Sequence, residues 1–140
     1  MKDGGLRQIF RHSIAEWQWT SVETAGTASG VPDSEFCATC GITGWIEFKQ
    51  TNKFYVQIKP LQVKWIDRRA RMGGRVWIAV RRIPKAAKWG DVDELWLMKG
   101  DQAQALFHGG LENISGHCWK GGPKTWNFDE IKDILCGFKS

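Results

Sequence analysis

The run Val76-Trp77-Ile78-Ala79-Val80 has no polar member. Successive side chains of a strand point to opposite faces, so such a run needs apolar cover on both sides. It predicts a strand in the middle of a sheet with helices packed on it. It is also the densest apolar stretch of the chain, far short of the ~20 residues of a membrane helix. The chain has 140 residues, 42% hydrophobic and 25% charged. Those values fit one compact domain with one core, and they exclude disordered, collagen-like and low-complexity chains.

Around that strand the periodicities place the other elements. Leu6, Ile9, Phe10 and Ile14 recur at helical spacing and predict a helix over 5–15. Trp17 to Thr24 reads as a strand, and Gly26 to Gly30 as a small-residue loop. Val31 to Cys40 and Gly44 to Gln50 read as two strands about a Gly-containing turn, with an irregular bridge over 52–59. Pro60 suits the first turn of a helix running to Met72 and stopped by Gly73-Gly74. A crossover helix there makes strands 44–50 and 75–81 parallel. A fifth strand covers Glu94 to Met98, followed by a short helix over 101–107 and a glycine-rich loop over 109–124. Asn127, with Glu130 three residues on, caps a last helix that Gly137 closes. The expected fold is a single α/β domain over 1–140, a mixed sheet flanked by helices, with its core at 5–108 and a C-terminal extension over 109–140.

Charge is unevenly spread. Lys59 to Lys88 holds ten of the twenty basic residues against one acid, Asp67, so this segment carries +9 of a net +5 and the rest −4. Lys64, Arg68, Arg71 and Arg75 recur at helical spacing and predict a one-sided basic stripe, joined by Arg81 and Arg82 as a phosphate-facing surface. Leu61, Trp65 and Met72 fall on another stripe, the expected buried one. A solvated helix face is the plainer reading of such a charge run.

Alternation along Trp45-Ile46-Glu47-Phe48-Lys49 puts Glu47 and Lys49 on one face. If the two strands about the turn are neighbours, Asp33 lies beside Glu47. Two carboxylates that close repel without a cation, and a hard divalent ion with oxygen ligands relieves this. Lys49 would then orient or activate a water, and Gln62, in the first helical turn after the bridge, would point back to the same place. By chance alone, an Asp followed at a distance by Glu-x-Lys is common, and Glu and Lys on a strand face are often merely exposed.

Ser29-Gly30-Val31-Pro32-Asp33, Gly44 to Lys49, Gln62-Val63-Lys64-Trp65 and Gly73 to Trp77 together resemble the PD-(D/E)XK nuclease superfamily. Within it they are most similar to the virus-type replication-repair nuclease (VRR-NUC) group and its phage Holliday-junction-resolvase-like members. The resemblance spans about residues 17–82, and each motif alone is weak. It implies a restriction-endonuclease-like core and a phosphodiesterase dependent on magnesium, with manganese as substitute. Asp33 and Glu47 would hold the metal with the backbone carbonyl of Phe48, Lys49 would serve the attacking water, and Gln62 would be accessory. Glu23 is a candidate third acid. Relatives often carry an acid on the first helix, where this chain has Gln8 and, at the far end, Glu16.

The function expected from these residues is a metal-dependent endonuclease of branched DNA, a phage-type Holliday junction resolvase acting as a homodimer, because symmetric cutting of a junction needs two sites. The rivals are a flap, nicking or duplex repair nuclease of the same fold, or a non-catalytic DNA-binding module with zinc at Cys37 and Cys40. Cys37-x-x-Cys40 is half a zinc site, and Cys118 and Cys136 do not supply the other half as a pair, so buried reduced thiols are expected instead. His12, His108 and His117 lack ligand spacing. Of the nine tryptophans, Trp45, Trp65 and Trp77 are expected in the core, and Trp17 or Trp19 against a partner subunit. Met1-Lys2-Asp3-Gly4-Gly5 has no apolar signal-peptide region, so the expected address is the cytoplasm, of a cell or of a phage-infected host.

Overall fold

The structure, a computed structural model, describes residues 3–22, 30–85 and 92–138. The elements run α1 (Leu6–Ser13), β1 (Gln18–Ser21), β2 (Ser34–Cys37), β3 (Thr43–Thr51), α2 (Pro60–Arg71), β4 (Val76–Arg82), β5 (Glu94–Lys99), α3 (Ala103–Gly109), β6 (His117–Trp119) and α4 (Phe128–Leu135). The strands form one six-stranded mixed sheet in sequence order. β3 and β4 are parallel, joined by the α2 crossover, and every other neighbouring pair is antiparallel. Among the described residues no helix is long and apolar enough to cross a membrane.

β4 sits inside the sheet, and Val76 to Val80 are all buried. Its residues split between two cores as strand alternation requires. Trp77 and Ala79 join Ile46, Phe48, Leu95 and Leu97 beneath Leu6, Phe10, Ile131 and Ile134 of α1 and α4. Val76, Ile78 and Val80 join Met98 beneath Val63 and Ile66 of α2 and Ala103 and Leu106 of α3. Glu47 and Lys49 alternate with Ile46 and Phe48, which puts the two polar residues on the α2 side.

Four expectations change. The stretch 109–124 is not all loop: β6 pairs with β5, Leu95 opposite Trp119. Residues beyond 108 are no mere extension, because Trp126, Ile131, Ile134 and Leu135 lie in the larger core. The buried stripe of α2 is Val63 and Ile66, whereas Leu61 is 48% and Met72 74% exposed. Trp65 only packs partly buried at the margin, where it meets Trp45 edge-on at 5.4 Å. Trp17 and Trp19 pack on Phe36 and on each other within this chain. Asn127 does cap α4, its Oδ1 accepting the Glu130 amide at 3.1 Å.

Candidate functional site

Antiparallel pairing of β2 with β3 sets Ser34 opposite Ile46, so Asp33, one residue earlier, falls beside Glu47. Backbone amides tie the two acids in place: the Asp33 amide donates to Glu47 Oε1 at 3.0 Å, and the amide of Phe48, the residue after Glu47, to Asp33 Oδ2 at 3.4 Å. Gly30, at φ +80°, lets the chain pass against the first turn of α2, where a Cβ would lie 2.1 Å from the Leu61 carbonyl oxygen. Glycine is therefore needed for the Val31-Pro32-Asp33 segment to close on α2.

Gln62 links α2 to the acids. Its Nε2 donates to Glu47 Oε2 at 3.0 Å, while its Oε1 accepts from Lys49 Nζ at 2.9 Å and from the Lys59 amide at 3.1 Å. Lys49 Nζ lies 3.1 Å from Glu47 Oε2. The four residues expected from the sequence are thus brought together, with Glu47 only 4% exposed.

Electrostatically the site is unbalanced. Burial, and next the charge of Glu47, push the Asp33 carboxyl up to about 7. Asp33 Oδ1 is buried without a hydrogen-bond partner. A hard oxygen atom left bare beside a second carboxylate is the donor set a divalent cation takes, so Asp33 and Glu47 fit the implied metal. Among the described residues they are the only acids of the expected set so placed. Among the described residues there is no cluster of three or more His, Cys, Asp or Glu side chains in metal-binding arrangement. Glu16 lies past α1 and pairs with Lys132 of α4 at 3.0 Å, away from the site. Glu23 falls outside the described residues.

These side chains open into a cavity of about 810 Å³ that is also lined by Asp3, Gly5, Arg7 and Gln8. Sequence reasoning missed Asp3 and Arg7. Nothing in their spacing marks them; they reach the site because α1 packs over β3 through Phe10, whose ring meets that of Phe48 at 5.0 Å.

The basic surface is smaller than expected. Lys64, Arg68 and Arg71 are exposed on α2, Arg71 in an ion pair with Asp67 at 2.9 Å. Arg75 lies beyond the helix end, past Gly73 and Gly74, and its Nη1 is directed at the Leu135 carbonyl at 3.5 Å. Arg81 grips both oxygens of Asp93, at 2.9 and 2.7 Å, and Arg82 holds Glu94 at 2.8 Å. All three arginines are thus engaged by partners within the fold. The cysteines depart from expectation as well: Cys136 alone is buried, and burial, with the neighbouring Cys40 next, pushes its thiol up to about 11, while the Cys37 thiol donates to the Ala38 carbonyl at 3.6 Å.

No family model, no curated protein and no solved structure matches the chain.

Proposed function

We propose that the chain is a magnesium-dependent endonuclease that hydrolyses phosphodiester bonds in branched DNA, a junction resolvase working as a C2 homodimer. The observation that carries this reading is the position of Lys49 Nζ, within 3.1 Å of Glu47 and 2.9 Å of Gln62, beside the Asp33–Glu47 pair. A salt bridge built only for stability does not require against it a second carboxylate with one buried oxygen left without a partner.

Asp33 and Glu47 would hold the cation, with the Phe48 carbonyl that the resemblance implies beside them, and magnesium or manganese bound there would supply charge neutralisation at the scissile phosphate. Lys49 donates to the attacking water and to the phosphate oxygens as negative charge gathers there. Gln62 holds the Lys49 ammonium and Glu47 in one geometry, so the lysine is positioned before substrate arrives. Lys64, Arg68 and Arg71 give the strand its electrostatic hold. Recognition is of DNA shape, since no base-reading motif is present in the sequence.

The test is cleavage of labelled four-way junction, flap and duplex DNA with magnesium and with EDTA. Paired symmetric nicks in the junction, lost with EDTA, are expected. Cutting of flap or duplex alone would replace the resolvase with a repair nuclease. Absence of cutting on all three would overturn the enzyme.

A further inference from the structure

We propose that Arg7 is a phosphate-binding residue of this cavity, seating the backbone phosphate of a DNA strand next to the one placed at Asp33 and Glu47. The proposal rests on the nuclease reading and adds a residue that neither the motifs nor the basic stripe contains.

Arg7 stands apart from the other cations near the sheet. Lys49 is committed to Glu47 and Gln62, Arg81 to Asp93, and Arg82 to Glu94. Arg7 lines the cavity with Asp33, Glu47 and Lys49, its side chain 38% exposed. The one ion pair it makes among the described residues is with Asp3, at 4.0 Å, the limit of such contacts. Its charge also acts on Asp33. A guanidinium with most of its five donors uncommitted among the described residues, at the edge of a site for a negatively charged strand, matches a phosphate bidentately.

The N-terminal turn holds it there. The Asp3 carbonyl accepts the Leu6 amide at 3.0 Å, and Asp3 Oδ1 accepts the Gly5 amide at 2.9 Å. Arg81, clamped by Asp93, donates through Nη1 to the Gly4 carbonyl at 2.9 Å. Gly4 has φ +61°, and a Cβ there would lie 2.9 Å from Gln50 Cδ of β3. The turn is thus bound to the sheet at a point whose left-handed φ favours glycine, and Leu6, fully buried, fixes the rotation of α1 that aims Arg7. Arg81 acts through this turn as a positioning residue.

The rival is that Arg7 only offsets the charge of Asp33 and Glu47. Binding of a fluorescein-labelled four-way junction to the full chain in EDTA, over a range of salt, separates the two. Arg7→Gln should weaken binding about five- to twentyfold and make the log–log salt slope shallower by about 0.9, the share of one phosphate contact. Arg7→Lys should restore the slope and only part of the affinity, because a point charge replaces the fork. The rise in melting temperature on adding magnesium should be at least as large in Arg7→Gln as in the parent, since a neighbouring positive charge has gone. Parent-like affinity and slope in Arg7→Gln overturns the proposal and leaves a charge-balancing role. If the parent binds DNA but never cuts it, the nuclease reading fails while the slope still decides the role of Arg7; a parent that neither binds nor cuts overturns both.

Discussion

The backbone amide of Asp33 donates to Glu47 Oε1 at 3.0 Å, so the two acids are joined by a group that no side-chain substitution removes. Their spacing is set by the register of β2 on β3, not by an ion between them. Burial of Asp33 and, next to it, the repulsion of the two charges are therefore built in, and together they raise the pKa of Asp33.

That pKa fixes a sign. The Asp33 carboxyl titrates at about 7 in the folded chain against an ordinary 3.8. A raised acid contributes no cost while both states hold the proton; ionisation then weakens the fold progressively as pH rises toward 7, and above it the cost is complete. Asp33→Asn should therefore stabilise the chain at pH 8, by on the order of 2–4 kcal/mol, and by less than half of that at pH 5. Thermal melts of both proteins at the two pH values check this. A constant difference would mean that Asp33 is ionised in the fold throughout. The same variant should lose cleavage by at least about a hundredfold while still binding junction DNA.

Gln62 makes three hydrogen bonds, to Glu47, Lys49 and the Lys59 amide. Gln62→Leu keeps the volume and removes all three, leaving the buried Glu47 short of a donor. Its expected cost is about 1–3 kcal/mol in stability, from denaturant melts, and about 10²-fold in kcat through the freed lysine. A normal kcat with the expected loss of stability would reduce Gln62 to a structural role.

The parts of this arrangement that were legible in the sequence were those with local signals. Period-2 alternation put Glu47 and Lys49 on one face, Pro60 and Gly73 marked the α2 ends, and the crossover argument made β3 and β4 parallel. What escaped depends on partners distant in the chain. Arg81 and Arg82 read as free cations because Asp93 and Glu94 reach them only through antiparallel pairing of β4 with β5, Arg82 opposite Glu94. β6, three residues in a glycine-rich stretch, has no alternation to detect and is a strand because β5 offers it an edge. On α2, two apolar stripes compete, and the choice of Val63 and Ile66 over Leu61 and Met72 is made by the sheet surface beneath. Arg7 reaches the cavity through the packing of Phe10 on Phe48, which no motif records.

Lys49→Ala should abolish cleavage nearly as fully as Asp33→Asn, and Lys49→Arg should not restore it. The ammonium sits in a pocket of two acceptors at 2.9 and 3.1 Å that a planar guanidinium cannot enter without displacing one of them. Single-turnover cleavage under saturating enzyme measures the chemical step without the contribution of binding. An active Lys49→Ala variant would remove the lysine from the reaction.

The two kinds of arginine can be told apart in one pair of variants. Arg68 and Arg71 lie exposed on α2, so the double change Arg68→Ala with Arg71→Ala should alter stability by less than about 0.5 kcal/mol. It should weaken junction binding and make the salt slope shallower by about 1.8, two phosphate contacts' worth. Arg82→Ala should do the reverse. Its guanidinium pairs with Glu94, which is 7% exposed, and lies 3.9 Å over the Phe54 ring. Removing it leaves a buried carboxylate with, among the described residues, only the Trp96 indole as side-chain donor, at 3.0 Å, and should cost about 3 kcal/mol with the salt slope unchanged. Denaturant melts and anisotropy titrations on the same samples give both numbers. An unchanged slope in the α2 double variant would make its basic face a solvated one, and a shallower slope in Arg82→Ala would return that residue to the DNA surface.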